Sequence, residues 1–247
     1  MRVSRRSPQL DDETQWISLS DMMTSLMLCF LLISVFYMIK LEHTIKRMED
    51  IQNIENLINT TRQGIHSELK TIFDANAKKW GAELSPDLTL RFINPDSLFD
   101  TGQSTLKPSY KKSLQEFFPQ YIHTMMQEKY RNQIKEIRIE GHTSSKWTDN
   151  TTSDVAYFLN MELSQRRTRE TLNYLMNNTN LTNEEKDWLK RHFRAIGFSS
   201  AKPLDKNGEL TTNPLDEDAK MSQRVEFRVI TNTDELLQVL DSGIGGF

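Results

Sequence analysis

Residues 22 to 39 read MMTSLMLCFLLISVFYMI, a run without one formal charge, and no other segment limits the fold as strongly. With Trp16 to Asp21 added, the stretch is long enough to cross a hydrocarbon layer of ~30 Å at ~1.5 Å per helical residue. Trp16 and Tyr37 stand near its two ends, where amphipathic aromatics favour a membrane interface. Arg2, Arg5 and Arg6 precede the span, but Lys40, Lys46 and Arg47 follow it, so charge asymmetry orients it weakly. The short leading tail favours a cytoplasmic N-terminus. A cleaved signal peptide is the alternative, but the span is long for one and no small-x-small site ends it.

One acid lies in this apolar stretch. Asp21 has Ser18 three residues before it, Thr24 three after and Ser25 four after, so all share its helical face. An acid costs ~2.5–3.5 kcal/mol at the centre of a bilayer by insertion scales, so its presence calls for a reason. A small polar stripe suits packing against other membrane helices or lining a watery path. Asp21 is therefore expected to carry an ion by gaining and losing a proton, with Ser18, Thr24 and Ser25 along the path. The competing reading makes Ser20-Asp21 a helix cap at the interface. One carboxylate does not convert ion flow to work alone, so a second, multi-helix membrane protein is expected.

From 40 to about 80 the chain is polar with an apolar stripe. Leu41, Ile45, Met48, Ile51, Ile54 and Ile58 recur at steps of three or four, and Ile65, Leu69 and Ile72 resume it. The stripe predicts a helix that pairs with a second copy or covers its own domain. Asn59-Thr60-Thr61 to Gly64 reads as a hinge.

From about 86 strands and helices alternate. Strands are predicted over 88–93, 134–141, 194–199 and 224–231. Pro108 suits the first turn of a helix over 107–129, and Ser164 an N-cap of a helix reaching 176. Thr182 and Glu185 form a capping box opening a helix to about 192. This alternation predicts an α/β domain, a sheet covered by helices.

Several chemistries lack support. Net charge is only −3, and no Lys/Arg cluster marks a nucleic-acid groove. Cys29 is the single cysteine, so no disulfide forms within the chain. His43, His66, His123, His142 and His192 show no metal spacing. No nucleophile triad or glycine-rich phosphate loop is present, so the chain is not expected to be an enzyme or to hold a cofactor.

Four short motifs share one resemblance. Phe99-x-x-Gly102-x-x-x-Leu106-x-Pro108, Ile139-Glu140-Gly141-His142-Thr143, Asn160-x-x-Leu163-Ser164-x-x-Arg167 and Arg224-Val225-Glu226-Phe227 occur in this order. Together they resemble an OmpA-like peptidoglycan-binding domain. The segment from Trp16 to Thr24 is similar to the membrane helix of MotB-type stator subunits, whose aspartate carries the coupling ion. The resemblance implies the B subunit of an ion-driven rotary motor, as in flagellar stators and the ZorB subunits of Zorya anti-phage systems. The brief linker favours the Zorya type; a flagellar-type stator or a passive membrane-to-wall tether are the alternatives.

It further implies a homodimer inside a ring, pentameric, of MotA/ZorA-like subunits in a bacterial inner membrane, with protons as the transported ion. The implied organisation is a cytoplasmic tail (1–15), a transmembrane helix (16–39), a helical periplasmic linker (40–85), an OmpA-like βαβ sandwich domain (86–233) and a C-terminal tail (234–247). In that family an acid after Gly-His-Thr and an arginine of the next helix bind diaminopimelate of the peptide stem. Thr143, Ser144, Asn160, Leu163 and Arg167 are the corresponding residues here. Ser144 stands where the acid is expected, and Gln223 where a second arginine is frequent. Asp149 or Asp154 folding back, neutral recognition by Ser144 and Ser145, and altered wall binding are the open alternatives.

Overall fold

The computed structural model describes residues 9–92 and 95–232. The tail expected over 234–247, most of the tail expected over 1–15, and the end of the strand predicted to reach Ile93 lie outside them. The elements are α1 (Gln9–Asp74), α2 (Ala77–Trp80), β1 (Ala82–Leu84), β2 (Thr89–Phe92), α3 (Pro95–Leu98), α4 (Pro108–Met125) and α5 (Glu128–Arg131). They continue with β3 (Ile134–His142), α6 (Ser153–Asn178), α7 (Asn183–His192), β4 (Phe193–Gly197), α8 (Ala219–Ser222) and β5 (Arg224–Thr231). The chain divides into two compact units, 1–54 and 55–247.

The described part of the first unit, from Gln9, is helical. Every side chain from Trp16 to Asp50 is exposed, including the whole apolar run. The helix is long and apolar enough to cross a membrane. Its backbone is self-satisfied, as a lipid-facing segment requires. Thr24 and Ser34 donate their hydroxyls to the carbonyls of Ser20 and Phe30, 2.7 Å each, so they add no unsatisfied donor to the apolar surface.

The second unit is built on a five-stranded sheet in the order β1-β2-β5-β3-β4. Only β3 and β4 are parallel; the other neighbours are antiparallel. Alternation sorts the faces. Leu90, Phe92, Ile137, Ile139, Val225, Phe227 and Val229 enter the buried core with Phe117 and Phe118 of α4 and Leu189 of α7. Phe117 lies at the centre, its ring 5.4 Å from Phe73, 6.0 Å from Phe92 and 5.6 Å from Phe227. Truncating such a ring costs ~3–5 kcal/mol. Two glycines bring the sheet against α6: a Cβ on Gly197 would lie 2.5 Å from the Gln165 nitrogen, and one on Gly141 2.9 Å from the Ser164 carbonyl.

Several local expectations change. The break at Asn59–Gly64 is no hinge, because α1 runs unbroken through it. Thr60 bonds back to the Asn56 carbonyl, Thr61 donates to Gln133 Oε1, and a Cβ on Gly64 would lie 2.9 Å from the Tyr130 hydroxyl. The glycine serves close packing. The apolar stripe also divides: Leu41, Ile45 and Met48 are exposed, whereas Ile58, Ile65 and Leu69 are buried in the second unit. Strand β1 and this end of α1 thus join the domain expected to open at 86. The helix predicted over 107–129 ends at Met125, and a separate turn follows.

The largest departure is α6. Ser164 does not cap it; the helix begins at Ser153, and Ser164 is fully buried inside it. Its hydroxyl donates to Met161 O and accepts from the Ser199 amide at 3.1 Å. A side chain that bonds a neighbouring loop has no need of a helix end. The capping box does form: Thr182 accepts from the Glu185 amide while Glu185 accepts from that of Thr182.

Candidate functional site

At the C-terminal end of β3 a cavity of about 340 Å³ opens. Thr143, Ser144, Asn160, Leu163 and Arg167, the five residues expected to meet a ligand, all line it. Thr101, Gly102, Lys146, Trp147, Thr148 and Gln223 complete its walls. Asp149 and Asp154 are exposed and lie outside it, so neither replaces the carboxylate missing at Ser144.

Arg167 projects from α6 and is only 6% exposed. Its Nε donates to the Gln103 carbonyl at 2.8 Å and its Nη2 to that of Asp100 at 3.3 Å. The guanidinium stands 4.8 Å over the Phe99 ring, a cation–π contact. A surface ion pair on α6, the bland role for an arginine here, is absent: among the described residues no carboxylate pairs with it. Burial pushes its pKa down to about 10, which leaves it a cation at neutral pH.

The segment 99–106 is shaped to make these contacts. Phe99 and Leu106 form an antiparallel bridge, Gly102 takes a left-handed φ of 71°, and the Gln103 amide closes a turn on Asp100 O at 2.9 Å. These physical demands account for the Phe99, Gly102 and Leu106 spacing. Opposite, Asn160 Nδ2 donates to Ser144 O at 3.0 Å, and the Thr143 amide donates to Ser199 O at 2.9 Å. The turn after β3 is thus tied to α6 and to the end of β4. The Thr143 hydroxyl is buried with no hydrogen-bond partner.

Glu217 was not foreseen. Its carboxylate accepts from the Ser145 amide at 2.9 Å and from the Ser145 hydroxyl, bracing the turn from outside the cavity walls. The two residues are 72 apart in sequence, and no local pattern links them.

Behind the turn, the face of the sheet opposite the aromatic core carries a buried charge lattice. The register sets Glu140 directly opposite Glu226, and Arg224 opposite His142. Two facing carboxylates repel. Arg91 and Arg224 hold Glu226 Oε1 at 2.9 and 2.7 Å, while Arg228 and Lys202 approach Glu140 at 3.6 and 3.8 Å. His142 Nε2 lies 3.7 Å from Glu140 and 3.6 Å from Glu226. Burial works to raise the Glu226 carboxyl, but the His142 ring and the Arg224 guanidinium outweigh it and hold that carboxyl far below the usual range. Glu140, His142 and Glu226 put potential metal-ligand atoms within 4.8 Å of one another, a grouping invisible in sequence spacing. Four cations already neutralise them, so the arrangement is an ion-pair lattice beneath the turn rather than a vacant cation site.

In the first unit, Asp21 and its neighbours Ser18, Thr24 and Ser25 are exposed on α1.

Residues 98–215 match the OmpA family. The chain is 39% identical over 236 residues to the Zorya protein ZorB of Escherichia coli strain Crooks, covering 94% of each. It is 24% identical over 229 residues to a Zorya protein ZorB of an O139:H28 strain of Escherichia coli, covering 92% of this chain and 84% of the relative. Among solved structures, a MotB-like protein from Desulfovibrio vulgaris matches with 23% identity and a TM-score of 0.46, over 71% of this chain and 94% of its own. The cell wall anchor of the T6SS from Pseudomonas aeruginosa matches with 17% identity and a TM-score of 0.43, over 68% and 99%.

Proposed function

The chain belongs to the ZorB family, MotB-like B subunits with a C-terminal OmpA-like domain, and from that premise we propose that it is a proton-driven motor subunit anchored to peptidoglycan. In this reading it works in the bacterial inner membrane as part of a Zorya-type anti-phage system. The N-terminus is cytoplasmic, residues 16–39 cross the membrane, and the C-terminal domain is periplasmic. Two copies stand within a ring of multi-helix A subunits. Asp21 takes and releases the proton, and Ser18, Thr24 and Ser25 line its path.

The observation that carries the anchoring role is Arg167. A guanidinium 6% exposed, facing a cavity and paired with no carboxylate among the described residues, is a costly arrangement. A ligand carboxylate entering the cavity offsets that cost, and arginine holds a carboxylate in a defined geometry. Peptide stems of the cell wall offer such carboxylates. Holding the wall gives the membrane helix something to work against, because an ion-coupled helix delivers torque or tension only if the rest of the chain is fixed.

Asp21→Asn tests the ion-carrying role. The substitution keeps size and hydrogen bonding and removes the titratable group. Membrane insertion and co-purification of an A subunit should persist, while protection against phage is lost. Full protection by the variant refutes proton carriage by Asp21 and leaves a passive tether.

A further inference from the structure

We infer that the Arg167 cavity accepts a carboxylate-bearing stem residue whose side-chain amine is acylated, so that the domain prefers cross-linked to free peptide stems. The inference deepens the wall-binding reading of this cavity and rests on it. A free stem diamino acid presents carboxylates and an ammonium; in a cross-link that amine has become an amide and lost its charge. An ammonium taken out of water needs a carboxylate or several aligned acceptors.

The walls offer the reverse charge. Among the described residues, they carry the cations Lys146 and Arg167 and no carboxylate. The bonds from Arg167 go to the carbonyls of Gln103 and Asp100, which orient the guanidinium without neutralising it. The nearby acids are committed elsewhere: Asp100 pairs with Lys107 at 2.8 Å, and Glu217 receives the Ser145 amide and hydroxyl. A carboxylate is welcome in such a cavity, and an ammonium beside it is repelled.

The neutral groups suit an amide. The Thr143 hydroxyl is buried with no partner, and that of Ser144 makes only a 3.5 Å contact with Lys146 O. Hydroxyls both donate and accept, as an amide requires. Trp147 and Leu163 give the acyl carbons an apolar wall. The volume of about 340 Å³ is at the small end of ligand sites, ~300–1,000 Å³, and holds a diamino acid with a short acyl group.

The test uses the full chain in detergent and three muropeptides made from purified wall: the monomer with its free side-chain amine, the same monomer N-acetylated there, and the cross-linked dimer. Titration calorimetry should show the acetylated monomer and the dimer binding at least about fivefold tighter than the free monomer. Ser144→Asp should reverse the order, and Thr148→Asp, at an exposed wall position, should do the same. Free monomer binding as tightly as the acetylated one, or more tightly, overturns the inference. So does a gain seen for the dimer alone, which is the signature of two-point attachment, or a ratio that neither aspartate shifts by twofold. If no form binds and wall pull-down is also unaffected by loss of the Arg167 charge, the wall-binding reading itself falls, and this inference falls with it.

Discussion

Replacing Arg167 with methionine separates its charge from its packing. Methionine keeps an unbranched stem against the Phe99 ring and removes the guanidinium. In the free protein, opposing effects meet. The hydrogen bonds to Gln103 O and Asp100 O are lost, and bonds from a charged donor contribute ~1.5–3 kcal/mol each. Against this, a buried cation without a counter-charge no longer has to be desolvated, a relief of several kcal/mol. Water from the open cavity can reach the released carbonyls, so net stability should change by no more than about 1.5 kcal/mol, a few degrees of melting temperature. Binding has no such compensation. A carboxylate ~4 Å from the guanidinium gains about 4 kcal/mol at an effective dielectric constant of ~20, of which ~1.5–3 kcal/mol survives as a net charged hydrogen bond. Affinity for purified peptidoglycan should therefore fall by about 10- to 150-fold in co-sedimentation with the full chain. Arg167→Lys should recover part of the loss, since it restores charge without the two-pronged geometry. Wild-type co-sedimentation by a folded Arg167→Met protein would show that the cavity is not where the wall binds.

Two further outcomes follow from the packing and the charge lattice. Gly197→Ala puts a methyl 2.5 Å from the Gln165 nitrogen and 2.6 Å from Ser164 Oγ, pushing α6 off β4 at a cost of about 2–4 kcal/mol. Denaturant unfolding checks the size of the loss, and because α6 carries Asn160, Leu163 and Arg167, wall binding should weaken with it. Acid should also destabilise the domain. Glu226 is held far below its ordinary value of 4.5, and Glu140 is lowered as well, so their stabilisation is complete above the unfolded pKa and drains away as pH falls from about 4.5 toward the folded value. Melting temperature should fall over that range in the wild type and much less in Glu226→Gln; parallel profiles for the two proteins would remove Glu226 as the cause.

The contrast between Thr182 and Ser164 shows what a local pattern can carry. Both are helix-capping residue types. Thr182 needs only Glu185, three positions on, to complete its capping box, and so it was legible. Ser164 answers to Ser199, 35 residues later, and its burial inside α6 follows from the approach of β4. The same distinction separates Pro108, which opens α4 as expected, from Gly64, whose meaning lies in Tyr130 across the fold. Alternation in β3 and β5 identified their core faces, but only the register sets Glu140 against Glu226 and calls in four cations. At the cavity, the family resemblance points to Thr143, Ser144, Asn160, Leu163 and Arg167, and the fold brings these five together in its walls. The partners that define its chemistry come from elsewhere: the Gln103 carbonyl 64 residues before Arg167, and Glu217 72 residues beyond Ser145.

That division bears on what Ser144 means. Read locally, a serine in place of an acid is a deletion, a binding site missing half of its charge. Among the described residues no other carboxylate lines the cavity to fill the place. Asp149 and Asp154 stay outside, Glu217 binds the backbone of the turn, and Lys146 joins Arg167 in the walls. The desolvated Arg167 costs energy in the unliganded molecule, and a ligand carboxylate would offset that cost. The arginine is oriented by two carbonyls and stacked on Phe99. On the proposed reading, the serine changes which charge state of the stem the cavity selects and the anchor remains. On the same reading, the role of Asp21 depends on that distinction, because a proton-driven helix would do work on the wall only through a domain that grips it.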